Sequence, residues 1–285
     1  MKTILVPTDF SKNADNALEH AIALAKKMKA KILLIHAFQM SIIYPDTPLQ
    51  LTDEQMASTE KEATKTLELL QKRVIESGIP NCEYINQAGF TVDVILESAD
   101  KFHPDLVVMG TRGASGIRGF LVGTNTAKVI EKARCPVIAV PEKAVYKPIS
   151  KITYATDLLT SDLNALNILV EFGKMFYAQI TLLHVSEKEY TIAPQEEVLL
   201  RKFENLIKSK INYTKLNLRS GYGRDFETVL DEYITREKPD IIAMSTRHRN
   251  LIDKLFNESI TKKMAYHTSI PLLAFHYEKE AVFFI

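Results

Sequence analysis

The chain has 285 residues, enough for one large domain or two of ordinary size. Its 46% hydrophobic and 25% charged content excludes a disordered chain and leaves material for a sizeable core. A formal net charge of +1 gives no reason to expect nucleic acid or an anionic membrane as a partner.

The opening MKTILVPTDF runs straight into a polar turn, so no signal peptide is expected. No apolar run approaches the roughly 20 residues that span a bilayer. Cys82 and Cys135 have no CxxC or zinc spacing, and the expected location is a reducing cytoplasm. Along the first half, the stretches 2–7, 31–37, 82–87, 105–109 and 136–140 read as strands. Helical patterns fall between them, at about 12–28, 53–77, 91–102 and 124–133. This alternation is the signature of a parallel sheet flanked by helices. Thr52 and Gln55 form a capping box at the second helix. Residues 38–51, FQMSIIYPDTPLQL, make a long apolar loop, read either as a lid or as an excursion packed on a neighbouring domain.

Between the fourth strand and the fourth helix lie Gly110, Gly113, Gly116, Gly119 and Gly123, five of the ten glycines in the chain. In an open parallel sheet, ligands bind beyond the carboxyl ends of the strands, where this stretch lies. Backbone N–H groups in such a turn, and those at the start of the next helix, converge on anions. Gly110 and Gly113 would supply the first arc, and Gly123, Thr124 and Asn125 the second. The lysine of a Walker loop is missing, and the spacing is wrong for the dinucleotide fingerprint. Phosphate binding and a loop whose glycines merely permit tight turns are the two readings of the residues alone.

The second half repeats the first. At an offset of 148, KTILVPTDF (2–10) aligns with SKITYATDL (150–158), and ILLIHA (32–37) with ITLLHV (180–185). At an offset of 135, HPDLVVMGTRG (103–113) aligns with KPDIIAMSTRH (238–248), and CPVIAV (135–140) with IPLLAF (270–275). Two α/β domains are expected, 1–143 and 150–285, joined through PEKAVYKPIS. Under the second offset Gly110 becomes Ser245, Gly113 becomes His248, Gly123 becomes Glu258 and Thr124 becomes Ser259. The second copy therefore has none of the three motif glycines.

Gly110-x2-Gly113-x9-Gly123-Thr124 resembles the G-x2-G-x9-G-(S/T) motif of the ATP-binding universal stress proteins. ILVPTDFS, LLIHA, PDLVVMGTRG and CPVIAVP are similar to that family in family order, and the whole chain resembles a tandem member. The resemblance implies two flavodoxin-like domains of the adenine nucleotide alpha hydrolase-like type. Each would be a five-stranded parallel sheet, order 3-2-1-4-5, flanked by helices. It implies that Pro7, Thr8 and Asp9 wall the adenine and ribose pocket, with Asp9 on the nucleoside. Asp9 is also read as a cap for the first helix or its turn. Ala37 matches a position, usually valine, that packs on adenine, and Met109 and Gly110 would flank the ribose. Gly113, Gly123, Thr124 and Asn125 would hold the phosphates of ATP with Mg²⁺ or Mn²⁺. No separate protein metal site is expected.

Arg112 and Arg118 are read either as added charge in the loop or as solvated side chains. His36 and His184, at matching positions in apolar strands, are read as core histidines rather than ligands. No catalytic set is present: there is no Ser-His-Asp arrangement, no HExxH and no paired carboxylates. The leading expectation is an ATP-binding regulatory protein of the stress response, one nucleotide per chain, with the second domain as its pseudo-dimer partner. Single-copy members of the family pair through the last strand, here CPVIAVP and IPLLAFH. A homodimer of whole chains is left open. The alternatives are a slow ATPase, a protein that phosphorylates itself at Ser115 or Thr124, and an interaction module without nucleotide.

Overall fold

The structure, a computed structural model, describes residues 2–38, 53–111, 123–159, 162–186, 194–245 and 269–275. These fall into two compact units divided between Glu142 and Lys143.

In the first unit the chain runs β1 (Thr3–Pro7), α1 (Lys12–Met28), β2 (Lys31–Phe38), α2 (Asp53–Glu76), β3 (Cys82–Ala88), α3 (Thr91–Phe102), β4 (Leu106–Gly110), α4 (Thr124–Lys132) and β5 (Val137–Val140). All its strand pairs are parallel, in the order β3-β2-β1-β4-β5. Every residue of β1, β4 and β5 is buried. Strands covered on both faces need continuous apolar runs, which explains TILVP, LVVMG and VIAV. The outermost strand, β3, buries only Cys82.

Helix α1 shows how local sequence sets a boundary. The Ser11 hydroxyl accepts from the Ala14 amide at 3.1 Å, satisfying one of the helix's unpaired N-terminal donors. Ala14, Ala17, Leu18, Ala21, Ile22 and Ala25 recur at helical spacing and are buried. Lys29 closes the helix in the left-handed conformation. Arg73 of α2 pairs with Asp15 and Glu19 of α1, which ties these two helices together on one face.

The second unit repeats the plan with β6 (Lys151–Ala155), α5 (Asp162–Phe176), β7 (Gln179–Ser186), α6 (Pro194–Lys210), β8 (Leu216–Tyr222), α7 (Phe226–Glu237), β9 (Ile241–Ser245) and β10 (Leu272–Phe275). Its parallel order, β8-β7-β6-β9-β10, is that of the first unit. The expected five-stranded α/β sheets are thus present twice.

In each order the chain builds outward on one side of the first strand and then returns to the other. The switch lies between β1 and β4 in the first unit and between β6 and β9 in the second. A crevice forms at such a point because the connections leave in opposite directions.

Candidate functional site at the end of strand β1

Sheet pairing between β1 and β2 ends at Pro7 and Ile35. The Thr8 amide makes one further rung to the Ile35 carbonyl at 2.8 Å, and the chain then turns away. The turn is held internally. The Phe10 amide donates to Thr8 Oγ1 at 3.1 Å, and the Ser11 amide donates to Asp9 Oδ1 at 3.1 Å. Pro7 and Thr8 are buried and Asp9 is half-buried. Asp9 therefore closes the turn, while the cap of α1 is Ser11. Phe10 has φ +63°, a left-handed conformation uncommon for a side chain of its size.

Ala37 is half-buried near the end of β2. Met109 and Gly110 end β4, and both are buried. The missing side chain of Gly110 has a packing reason. A Cβ there would stand 2.9 Å from Cγ and Nδ2 of Asn13 and 3.1 Å from its backbone carbonyl carbon. Helix α1 occupies that space, so Gly110 permits helix-to-strand contact, a role that sequence reading did not assign.

Beyond Gly110, the Thr111 amide continues the ladder to the Val140 carbonyl at 2.9 Å, and the Gly123 amide donates to the Thr111 carbonyl. The buried Thr126 hydroxyl donates to the Gly110 carbonyl at 2.8 Å. The start of α4 is therefore bonded to the end of β4. Gly123 is the N-cap of α4 in extended backbone, φ −68° and ψ 156°, without a side-chain cap bond. Serine or aspartate at that position would turn its own oxygen onto the first-turn amides. Glycine leaves them open to an outside acceptor, at the positive end of the helix dipole. Thr124 and Asn125 are exposed at this end. Gly113, Arg112, Ser115 and Arg118 lie outside the described residues, as do 39–51 of the apolar loop and Thr52 of the capping box. Among the described residues no three His, Cys, Asp or Glu side chains converge on a metal position.

The second unit keeps the same turn with different chemistry around it. The Thr156 amide reaches the Leu183 carbonyl at 3.0 Å, the Leu158 amide donates to Thr156 Oγ1 at 3.0 Å, and Leu158 has φ +60°. Here, however, the Thr156 hydroxyl donates to Asp162 Oδ2 at 2.6 Å, and the fully buried Tyr154 hydroxyl donates to Oδ1 at 3.2 Å. Burial first, then the charge of Asp162, holds the Tyr154 phenol well above its ordinary range. The first copy has Val6 and Ala14 at these positions, so a carboxylate has been planted beneath the second turn. Ser245, in the place of Gly110, is buried at the end of β9. His248, Glu258 and Ser259 lie outside the described residues.

His36 and His184 are half-buried, and each has a defined bond. Nδ1 of His36 lies 2.8 Å from the Thr8 carbonyl, and Nδ1 of His184 lies 3.1 Å from the Thr156 carbonyl. The other nitrogen of His184 faces Glu196 Oε1 at 3.1 Å, and Ser186 donates to Glu196 Oε2 at 3.0 Å. Thr126, Asn13 and Asp162 were not singled out from the sequence. Only the alignment of Asp162 with Ala14 held a signal for any of them.

Two tandem parallel α/β units of the same strand order, each with a switch point beside its first strand and the first with a glycine at the start of α4, define a duplicated doubly wound α/β protein. The model of the universal stress protein family matches residues 1–141 and again 148–276. A universal stress protein of Synechocystis is 24% identical over 96% of this chain and its own full length. One from Methanocaldococcus jannaschii is 33% identical over 141 residues, which are 49% of this chain and 81% of the relative. A crystal structure of a universal stress protein from Archaeoglobus fulgidus superposes with a TM-score of 0.71 at 18% identity, covering 97% of each chain, a likeness of fold. The chain belongs to the universal stress protein family and carries its domain twice. Among the described residues no helix is long and apolar enough to cross a membrane.

Proposed function

We propose that the first unit binds ATP, one molecule per chain, and that the protein is a nucleotide-responsive regulator of a stress response in the cytoplasm. The observation that carries this reading is the start of α4. Its first-turn amides have no side-chain cap, its cap residue is glycine, and it is bonded to the end of β4 beside the β1 turn. That arrangement suits an anion held against backbone N–H groups. Thr124 and Asn125 would meet the phosphates with Gly123 and Gly113. Mg²⁺ or Mn²⁺ would arrive on the phosphate oxygens, with the Thr124 hydroxyl as the protein's added oxygen. Pro7, Thr8, Asp9, Ala37, Met109 and Gly110 would line the nucleoside side. The motif has no Walker lysine, and among the described residues no water-positioning base accompanies them, so hydrolysis would be slow beside the ~1–100 s⁻¹ of dedicated phosphoryl-transfer enzymes.

The second unit, with a buried carboxylate at its turn and no motif glycines, would serve as the first unit's partner. The two would pair through β5 and β10, each the last strand of its own order, and the short linker would keep them at high local concentration.

Calorimetric titration of the whole chain with Mg-ATP tests the reading. One site per chain is expected, abolished by Gly123→Val, whose side chain would stand in phosphate space, while the circular dichroism melt is preserved. Two sites per chain, or unchanged affinity in a folded Gly123→Val protein, would overturn it.

A further inference from the structure

We propose that His36 is a positioning residue for this site, acting through the Thr8 carbonyl. The inference rests on the nucleotide reading above and adds a residue to it. Backbone pairing of β1 with β2 stops at Pro7 and Ile35, and the Thr8 amide makes the last rung. The next acceptor in line, the Thr8 carbonyl, receives the side chain of His36 at 2.8 Å. A carbonyl oxygen only accepts, so Nδ1 carries the proton. The imidazole thus fixes the place where β1 leaves the sheet.

Immediately beyond the Thr8 carbonyl the chain enters the turn that presents Asp9. Phe10 holds a left-handed backbone conformation that disfavours its side chain, and restraint from outside adds to the two bonds within the turn. His36 supplies it twice. Its Nδ1–H fixes the carbonyl before Asp9, and its ring stacks on the ring of Phe10 after Asp9, with centroids 4.3 Å apart and planes 27° apart. Asp9 lies between two residues that one side chain restrains.

The second unit, to which no nucleotide is assigned, shows which part of the device goes with the turn itself. Its turn has nearly the same φ, +60° at Leu158, with no aromatic side chain there to stack. His184 nevertheless makes the same bond, Nδ1 to the Thr156 carbonyl. The common element is the hydrogen bond to the carbonyl, and it accompanies the turn in both copies. A histidine that merely filled the core would need only its volume.

The test is to titrate the full chain, wild type, His36→Asn and His36→Leu, with Mg-ATP, and to record the melt of each. Asparagine carries an N–H donor near the place of Nδ1, whereas leucine has similar bulk and no donor. Affinity is expected to fall about tenfold in His36→Leu, the worth of one hydrogen bond, and to stay within about twofold in His36→Asn. Equal affinity in the two variants, whether retained or lost, refutes the positioning role, because the donor would then not matter. Absence of ATP binding by the wild type refutes the nucleotide reading itself, and this inference with it. If His36→Leu does not fold, the ring tautomer decides. Long-range ¹⁵N–¹H correlation on the wild type at neutral pH is expected to show a protonated Nδ1, and an unprotonated Nδ1 would refute the proposal.

Discussion

Gly110→Ala probes whether this glycine is kept for the neighbouring helix. The added Cβ would lie 2.9 Å from two side-chain atoms of Asn13 and 3.1 Å from its backbone carbonyl carbon. Ordinary carbon contacts begin at about 3.5 Å, so roughly half an ångström must be found. Rotating Asn13 does not provide all of it, because one of the three atoms belongs to the backbone and the residue is 5% exposed. The first turn of α1 has to move. Overpacking of this kind costs about 1–3 kcal/mol. Against it stands the smaller entropy of an unfolded chain with alanine, about 0.4–1 kcal/mol, since Gly110 is not among the positive-φ glycines. At the middle of both ranges the net loss is about 1.3 kcal/mol, or roughly 3–5 °C in Tm for a unit of this size. Scanning calorimetry of the whole chain measures the loss, and hydrogen exchange at the amides of α1 and β4 assigns it to the first unit. A variant that melts with the wild type would refute the packing argument, and if its ATP affinity alone fell, the missing side chain would belong to the ligand.

Asp162→Ala leaves the buried hydroxyls of Tyr154 and Thr156 without their acceptor, at about 1–3 kcal/mol for each orphaned group. Adding Tyr154→Phe should restore part of the stability in urea denaturation, and strictly additive losses would count against the network. Alkaline titration gives a signed test. The folded phenol of Tyr154 sits above its unfolded value, so its contribution is fully present below about pH 10 and is lost as pH rises through the folded value. Phenolate absorbance from this residue should therefore appear only with unfolding, and its appearance in the native protein would contradict the buried arrangement. Burial pushes the thiols of Cys82 and Cys135 up to about 12 and about 11 from 9.0. Thiolate is then scarcer by about a thousandfold and a hundredfold, and disulfide reagents at about pH 8 should modify both slowly until the chain unfolds. Rapid modification of the native protein would show one of them to be accessible.

The order of elements was legible in the sequence because it depends on neighbours. Apolar runs of four to eight residues marked β1, β2, β4 and β5, since a strand covered on both faces can carry little else. The repeat doubled the signal, and the glycines of 110–123 pointed to the joint between β4 and α4. The sequence could also show that the second copy lacks those glycines, because a side chain is present or absent whatever the fold.

It could not assign the partners across the chain. Gly110 is filled by Asn13, 97 positions earlier, and the Thr8 carbonyl is held by His36, 28 positions later. The Asp162 carboxylate finds Tyr154 and Thr156 because α5 lies against the end of β6, and no spacing rule announces that contact. The lone signal was that Asp162 aligns with an alanine. Local propensity and periodicity act over a few residues and decide which elements form. Hydrogen bonds and steric fit act at about 3–4 Å between atoms that only the folded sheet brings together, so the tertiary structure alone decided what Gly110, His36 and Asp162 meet.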